Sequence, residues 1–429
     1  MRAGFARRDF TPGVPVATLY DRPETGEVTG RVADPLFVRC AAFEAQDRRA
    51  AIVAWDQLAV GAALAEEAKA GLADLGLSPA DVLLSCTHSH TTPLTISFRG
   101  RHPADEDYCR HLCAATREAV EEALALAHEC ELGVGVGHFG ATINRREMGR
   151  LANVNDLAAG TGTVDPELTV LRVCAGERSG CIVNLACHPL TMSAGDAISA
   201  DFPGAMAAVI EAGVPGAFAL FLQGAGGNLN PNIHGGPAER DRFGALVAEE
   251  ALRIADVIDC RPSDQLATAL RTVELPWASE APLAEAGAIV DRVEAGERVA
   301  ARDAAWARDL LAADEAGAIP DALAAPAQAL RIGPLLIIAI PGEPFVQIGL
   351  AIKRAVRERL GHPGRPVMVA GYANATDCGY VPAPEESRFG EYETAVAPRY
   401  YPCLLGPGAE ARDILADAAA DLAAEVGSQ

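Results

Sequence analysis

Asp81-Val-Leu-Leu-Ser-Cys-Thr-His-Ser-His-Thr-Thr-Pro93 is the stretch from which both the fold and the chemistry are read. Residues 81–85 read as a short apolar strand. The strand runs directly into His88-Ser89-His90. Two histidines at i and i+2 on extended chain point to the same face, so His88 and His90 can serve one site at a strand end. Neutral imidazole is the commonest metal ligand and suits zinc, which makes the pair a candidate for metal binding or catalysis. Solvated or core-satisfied histidines would give the same spacing.

Outward from this strand, helical and strand patterns alternate. On the N-terminal side, 36–43 and 50–55 form a strand pair around a turn at 45–49, and 62–75 is helical by its Ala, Glu and Lys content. On the C-terminal side, 105–128 is a long helix and 132–139 a strand. A hairpin follows at 169–174 and 181–186, then a helix at 204–212, a strand at 217–222 and a helix at 241–258. Residues 278–330 are rich in Ala, Glu, Asp and Arg, and they read as a helical excursion that either caps the pocket or packs outside it. Strands at 335–340 and 367–370 enclose a helix at 346–360, and a last helix covers about 410–426. The pattern predicts an α/β (mixed α+β) fold with a central mixed sheet flanked by helices. No linker rich in Pro, Gly or Ser divides it, so one domain is expected over 1–429.

The 429-residue chain is half hydrophobic, ample for a large buried core. Its net charge is −22, from 58 acidic against 36 basic residues. With no basic stripe, such a surface repels nucleic acid and anionic membrane, because phosphate binding needs clustered Lys and Arg. The opening Met-Arg-Ala-Gly-Phe-Ala-Arg-Arg-Asp9 lacks the apolar core of an export signal, and no run of about 18 apolar residues occurs. Eleven scattered cysteines without a Cys-x-x-Cys pair fit free thiols in a reducing cytoplasm. A soluble cytoplasmic protein is expected; a homo-oligomer stays open.

Two more apolar strands end in chemically capable residues. Asn184-Leu-Ala-Cys-His-Pro189 closes on His188, and the proline stops the strand. Ile340-Pro-Gly-Glu-Pro-Phe345 sets Glu343 at the end of a very apolar strand. Burying a carboxylate there costs on the order of several kcal/mol unless a cation or donor pairs it. Alternatively, Glu343 accepts backbone N–H groups at the helix start near Val346. Gly371-Tyr-Ala-Asn374 to Gly379-Tyr-Val-Pro382 follows another strand, with Glu391-Tyr-Glu393 downstream. Two or three His and one Glu from three strand ends have the composition of a zinc site with an open position.

Other signals are weaker. Gly135-Val-Gly-His-Phe-Gly140 has a dinucleotide-binding spacing, yet no helix opens after it. Gln223-Gly-Ala-Gly-Gly-Asn-Leu-Asn-Pro-Asn232 lacks the Lys-Ser/Thr of a phosphate loop and reads as a tight turn presenting backbone N–H groups. No Gly-x-Ser-x-Gly elbow occurs, which argues against a serine hydrolase on the α/β-hydrolase plan.

Taken in order, these segments resemble the catalytic domain of the neutral/alkaline (non-lysosomal) ceramidases. The resemblance lies in Ala3-Gly4 with Asp9-Phe-Thr-Pro12, Val53-Ala-Trp-Asp56, Thr87-His-Ser-His90, Ile143-Asn-Arg145 and His188-Pro189. It continues in Ser199-Ala-Asp-Phe-Pro-Gly204, Gly227-Asn-Leu-Asn-Pro231, Pro341-Gly-Glu343, Gly379-Tyr380 and Tyr392-Glu393. It implies that family's fold and one zinc ion per chain on His88, His188, Glu343 and Tyr380. It further implies that His90 acts as acid or base, that Arg145 lines the pocket and that Tyr392 stabilises an oxyanion.

Two departures redirect the expected activity. The family's nucleophile is assigned to a Ser in the Gly-Asn/Asp-x-Ser-Pro loop, where this chain has Asn230. An amide side chain cannot attack a carbonyl. The family's C-terminal immunoglobulin-like domain is also not expected here. The expectation is therefore a zinc-dependent hydrolase that cleaves an amide C–N bond of a small soluble N-acyl substrate by activated water. Asn230 and Arg145 would bind substrate, Arg145 at an anionic group. An esterase or lactonase on the same zinc site, or a non-catalytic binding protein, are the rivals.

Overall fold

Three stretches of chain fold in the same way: three antiparallel strands, a helix, a fourth strand parallel to the third, and a second helix. The computed structural model describes residues 1–26, 28–146, 162–192, 197–278, 282–387 and 392–428. The first unit comprises β1 (Arg2–Asp9), β2 (Phe37–Ala45), β3 (Arg48–Trp55), α1 (Ala62–Ala70), β4 (Val82–Cys86) and α2 (Glu106–Ala125), and β5 (His128–Glu129) joins its edge. The second comprises β6 (Glu131–His138), β7 (Thr142–Asn144), β8 (Glu167–Ala175), β9 (Arg178–Leu185), α3 (Asp201–Gly213), β10 (Ala217–Gln223), β11 (Leu229–Pro231), α4 (Pro237–Asp256) and β12 (Arg261–Pro262). The third begins with β13 (Leu266–Leu275), α5 (Pro282–Glu294), α6 (Ala301–Glu315), β14 (Leu323–Ile332) and β15 (Leu335–Ala339). It continues through β16 (Glu343–Pro344), α7 (Val346–Arg359), β17 (Val367–Ala370), β18 (Tyr380–Val381), α8 (Pro384–Ser387) and α9 (Ala411–Ser428).

The sheets run β4-β3-β2-β1-β5, β10-β9-β8-β6-β12 and β13-β14-β15-β17. Each contains one parallel pair, β3 with β4, β9 with β10 and β15 with β17. Parallel neighbours need a crossover, which α1, α3 and α7 supply. The expected mixed α/β architecture is therefore present, with its sheet divided in three.

The inner faces of the sheets meet in one core, where Phe5 and Ile52 pack with Ile182 and Leu220 and with Leu330 and Ile337. The outer faces take the helices: α1 and α2 on the first sheet, α3 and α4 on the second, α7 and α9 on the third. Strands covered on both faces read as continuous apolar runs rather than alternating ones. Each Leu or Ile fully buried in this way stabilises the fold by about 1.5–3 kcal/mol. Helix α2 shows the local logic. Asp105 caps it by accepting the Tyr108 N–H at 3.0 Å, and Tyr108, Leu112, Ala115 and Ala119 form its buried face.

The expected excursion at 278–330 is helical through Glu315, in α5 and α6; residues 279–281 lie outside the described residues. Its last part is instead β14, an interior strand of the third sheet. Leu323-Ala-Ala-Pro-Ala-Gln-Ala329 looks helical by composition, but pairing with β13 along the strand and with β15 from Gln328 outweighs that weak preference. Pro326 fits because it lies beyond the stretch that pairs with β15. The helical pair packs around Ile289, Trp306 and Leu310 against Leu405. Among the described residues, no helix is long and apolar enough to cross a membrane.

Candidate metal centre

The carboxyl ends of the parallel strands from all three units open onto one place. Backbone bonds join them there, from Cys86 N–H to Tyr372 O at 3.1 Å and from Gly371 N–H to Gln223 O at 2.9 Å. Gln223, fully buried at the end of β10, donates to Cys187 O at 2.7 Å and to Thr87 O at 3.5 Å. One amide thus ties together the chain segments leading to His88 and His188. Each unit then delivers one side chain: His88 after β4, His188 after β9 and Glu343 after β15. His88 sits at φ 72° and Tyr372, whose ring lies 4.2 Å from that of His88, at φ 52°. Left-handed backbone costs an L residue roughly 1–2 kcal/mol and persists where packing over-determines it, often at functional sites.

Both histidines are oriented from behind. His88 Nδ1 lies 2.6 Å from Leu58 O, and His188 Nδ1 lies 2.7 Å from Gly226 O. A carbonyl only accepts, so each Nδ1 carries the proton and, in the neutral ring, each Nε2 keeps a lone pair. The two Nε2 atoms lie 3.1 Å apart. Glu343 Oε2 lies 3.0 Å from the first and 3.3 Å from the second. Burial, then Arg145, pushes His188 down to about 3, so its ring is neutral.

With neutral rings, three electron-rich atoms face one another within 3.3 Å in a fully buried place, and among the described residues Glu343 Oε2 has no hydrogen-bond partner. Such a cluster is repulsive unless a cation joins it. The spacing suits ligands sharing one ion with bonds of about 2.0–2.2 Å, and histidines with Nδ1–H on a carbonyl are how proteins hold such ligands. Ligand atoms of His88, His90 and His188 also lie within 4.8 Å of one another and could hold a metal. His90 is the outer member: its ring is 4.6 Å from that of His88 and 5.4 Å from that of His188, and its Nδ1 donates to His88 O at 3.1 Å. Burial, and then His88, hold its pKa well below the usual value.

Parallel pairing of β16 with β18 sets Tyr380 beside Glu343. The Tyr380 ring stacks at 6.3 Å from His188, and its hydroxyl accepts from Arg145 Nη2 at 3.0 Å. Arg145 also donates to Gly227 O at 2.7 Å, to Asn230 Oδ1 at 3.2 Å and to the buried Glu393 at 3.0 Å. Expected as an anion-binding fork, Arg145 is instead engaged on both Nη groups and Nε by the protein itself. Asn230 sits on β11, which pairs with the strand that leads into Arg145. Gly227 is required there, since a Cβ would lie 2.5 Å from Glu343 O. Tyr392 is 43% exposed, with its ring T-shaped to Tyr380 at 6.1 Å; its neighbour Glu391 lies outside the described residues.

Sequence reasoning missed three residues of this centre. They are Gln223, Tyr372 and Tyr401, whose buried hydroxyl donates to Glu343 Oε1. Tyr372 carried a usable signal, because it follows the apolar strand at 367–370. No local spacing links residue 401 to residue 343.

Fold and site together define a mixed α/β protein with a buried His/carboxylate centre built from three strand ends. No family model matches the chain. Neutral ceramidase of Mycobacterium tuberculosis (strain ATCC 25618 / H37Rv) is 28% identical to it over 400 residues, covering 76% of this chain and 62% of that protein. The chain thus spans 62% of the length of the curated relative it matches. The crystal structure of neutral ceramidase from Pseudomonas aeruginosa aligns with all of this chain and 74% of its own, with a TM-score of 0.77 and 22% identity. A ceramidase complexed with C2 aligns with a TM-score of 0.75 at 20% identity, over all of this chain and 75% of its own. The chain is thus similar in sequence to a neutral ceramidase and shares the fold of the solved ceramidase structures.

Proposed function

We propose that this chain is a metal-dependent hydrolase that cleaves the amide C–N bond of a small N-acyl substrate, with water in place of a serine nucleophile. The observation that carries this is the convergence of His88 Nε2, His188 Nε2 and Glu343 Oε2 on one buried point. These three would hold one divalent ion, with Tyr380 as fourth ligand, and the His/carboxylate donor set suits zinc. When bound, the ion would supply Lewis acidity toward a carbonyl and a lowered pKa for water.

The chain's own residues supply the rest. His90 is neutral, and with Nδ1 on His88 O its Nε2 is free to take a proton and return it to the leaving nitrogen. Tyr392, open to solvent beside Tyr380, would donate its O–H to the substrate carbonyl oxygen, a term often worth about 10²–10³-fold per donor. Arg145 holds Tyr380 and Asn230 in place. Asn230 would hydrogen-bond the substrate. The names of the relatives support amide hydrolysis, and Asn230 supports water over serine.

A panel of N-acyl amides and matched esters, assayed with zinc-loaded and chelated protein, tests this. Turnover of amides that is lost on chelation and restored by zinc is expected. Turnover of the panel that is indifferent to chelation would refute it.

A further inference from the structure

We propose that Tyr401 is a positioning residue for the metal centre, fixing Glu343 so that one carboxylate oxygen alone faces the ion; this rests on the metal-dependent reading above. The Tyr401 hydroxyl donates to Glu343 Oε1, while Oε2 is the atom turned to His88 and His188. A carboxylate with both oxygens free can rotate and bind through either or both. With Oε1 taken by a phenol, its plane is set and Oε2 points inward. Partners behind a ligand usually matter about 10–100-fold in metal affinity.

Tyr401 is itself held on every side. Its ring packs T-shaped on Phe98 at 5.1 Å. It also lies over Gly379, where a Cβ would stand 2.5 Å from the ring, so only glycine admits it. Its backbone is clamped by Arg99, which donates to the carbonyls of Tyr401, Pro402 at 2.8 Å and Cys403 at 3.1 Å. The Arg99 side chain pairs in turn with Asp309 of α6 at 2.7 Å. Next along the chain, Leu404 O accepts from the Trp306 indole at 2.7 Å. Helix α6 thus braces the segment that carries Tyr401.

The test is Tyr401→Phe, which keeps the ring and removes only the donor. Zinc affinity of metal-stripped protein is read by competition with a chromogenic chelator, with near-UV circular dichroism as the check on folding. An affinity about 10–100-fold weaker in a folded variant is expected. Arg99→Lys, which loosens the clamp and spares the hydroxyl, is expected to weaken zinc in the same direction by less. Wild-type affinity in folded Tyr401→Phe would overturn the assignment and leave the metal reading standing. Failure of the wild type to take up zinc would overturn both.

Discussion

At His88 and His188 a backbone carbonyl decides which ring nitrogen faces the site. With Leu58 O and Gly226 O holding the Nδ1 protons, both Nε2 lone pairs turn inward toward Glu343. Strand ends followed by His or Pro-Gly-Glu were legible in the sequence, because an apolar run makes the next polar residue conspicuous. Gln223 and Tyr401 were not, because their partners lie far away in sequence and are brought near only by tertiary pairing. Asn230 separates two mechanisms at this scale. If it only binds substrate, Asn230→Ala keeps its metal and loses about tenfold in kcat/KM, roughly 1.4 kcal/mol. A loss of about 10⁴-fold or more in steady-state assays, with metal retained, would mean that Asn230 takes part in the chemistry.

Elements buried on both faces announced themselves as apolar runs, and β4, β9, β10, β15 and β17 lie where those runs fell. The β13–β14 pair did not, because alanine-rich sequence favours helix locally and only neighbouring strands make it extended. Ile337 lies at the centre of β15, fully buried where the three sheets meet. Ile337→Ala should cost about 2–5 kcal/mol in denaturant unfolding; a change below about 1 kcal/mol would contradict a single shared core. Asp56, just after β3, accepts the Phe37 N–H at 2.9 Å. Burial pushes its carboxyl up to about 7, against the pull of Arg39. Its unfolded value is near 3.9, so the folded state holds the proton more tightly. The stability this contributes is present below about pH 4 and lost as pH rises toward 7. Compared with wild type, Asp56→Asn should therefore gain stability between pH 4 and 7, on the order of 3–4 kcal/mol at most. A difference flat across that range in urea titrations would sink the assignment.

For the whole molecule, the central fact is that β1, β6 and β13 each begin an equivalent unit, and each unit gives at least one side chain to a shared point. An ion at that point would clamp the three units together. Binding to the folded state alone adds about 4 kcal/mol at a thousandfold excess over Kd. Chelation should therefore lower the melting temperature measurably, and zinc should restore it. The fold class was legible because strand and helix alternate throughout. The threefold arrangement was not, because the units share topology without a spacing that the residues betray. The central claim is the buried ion on His88, His188 and Glu343. Its most direct test is elemental mass spectrometry of the purified protein beside folded His88→Ala and Glu343→Ala. One zinc per chain in the wild type and none in either variant is the predicted result. No metal in the wild type even after incubation with zinc, or equal metal in all three proteins, would contradict it.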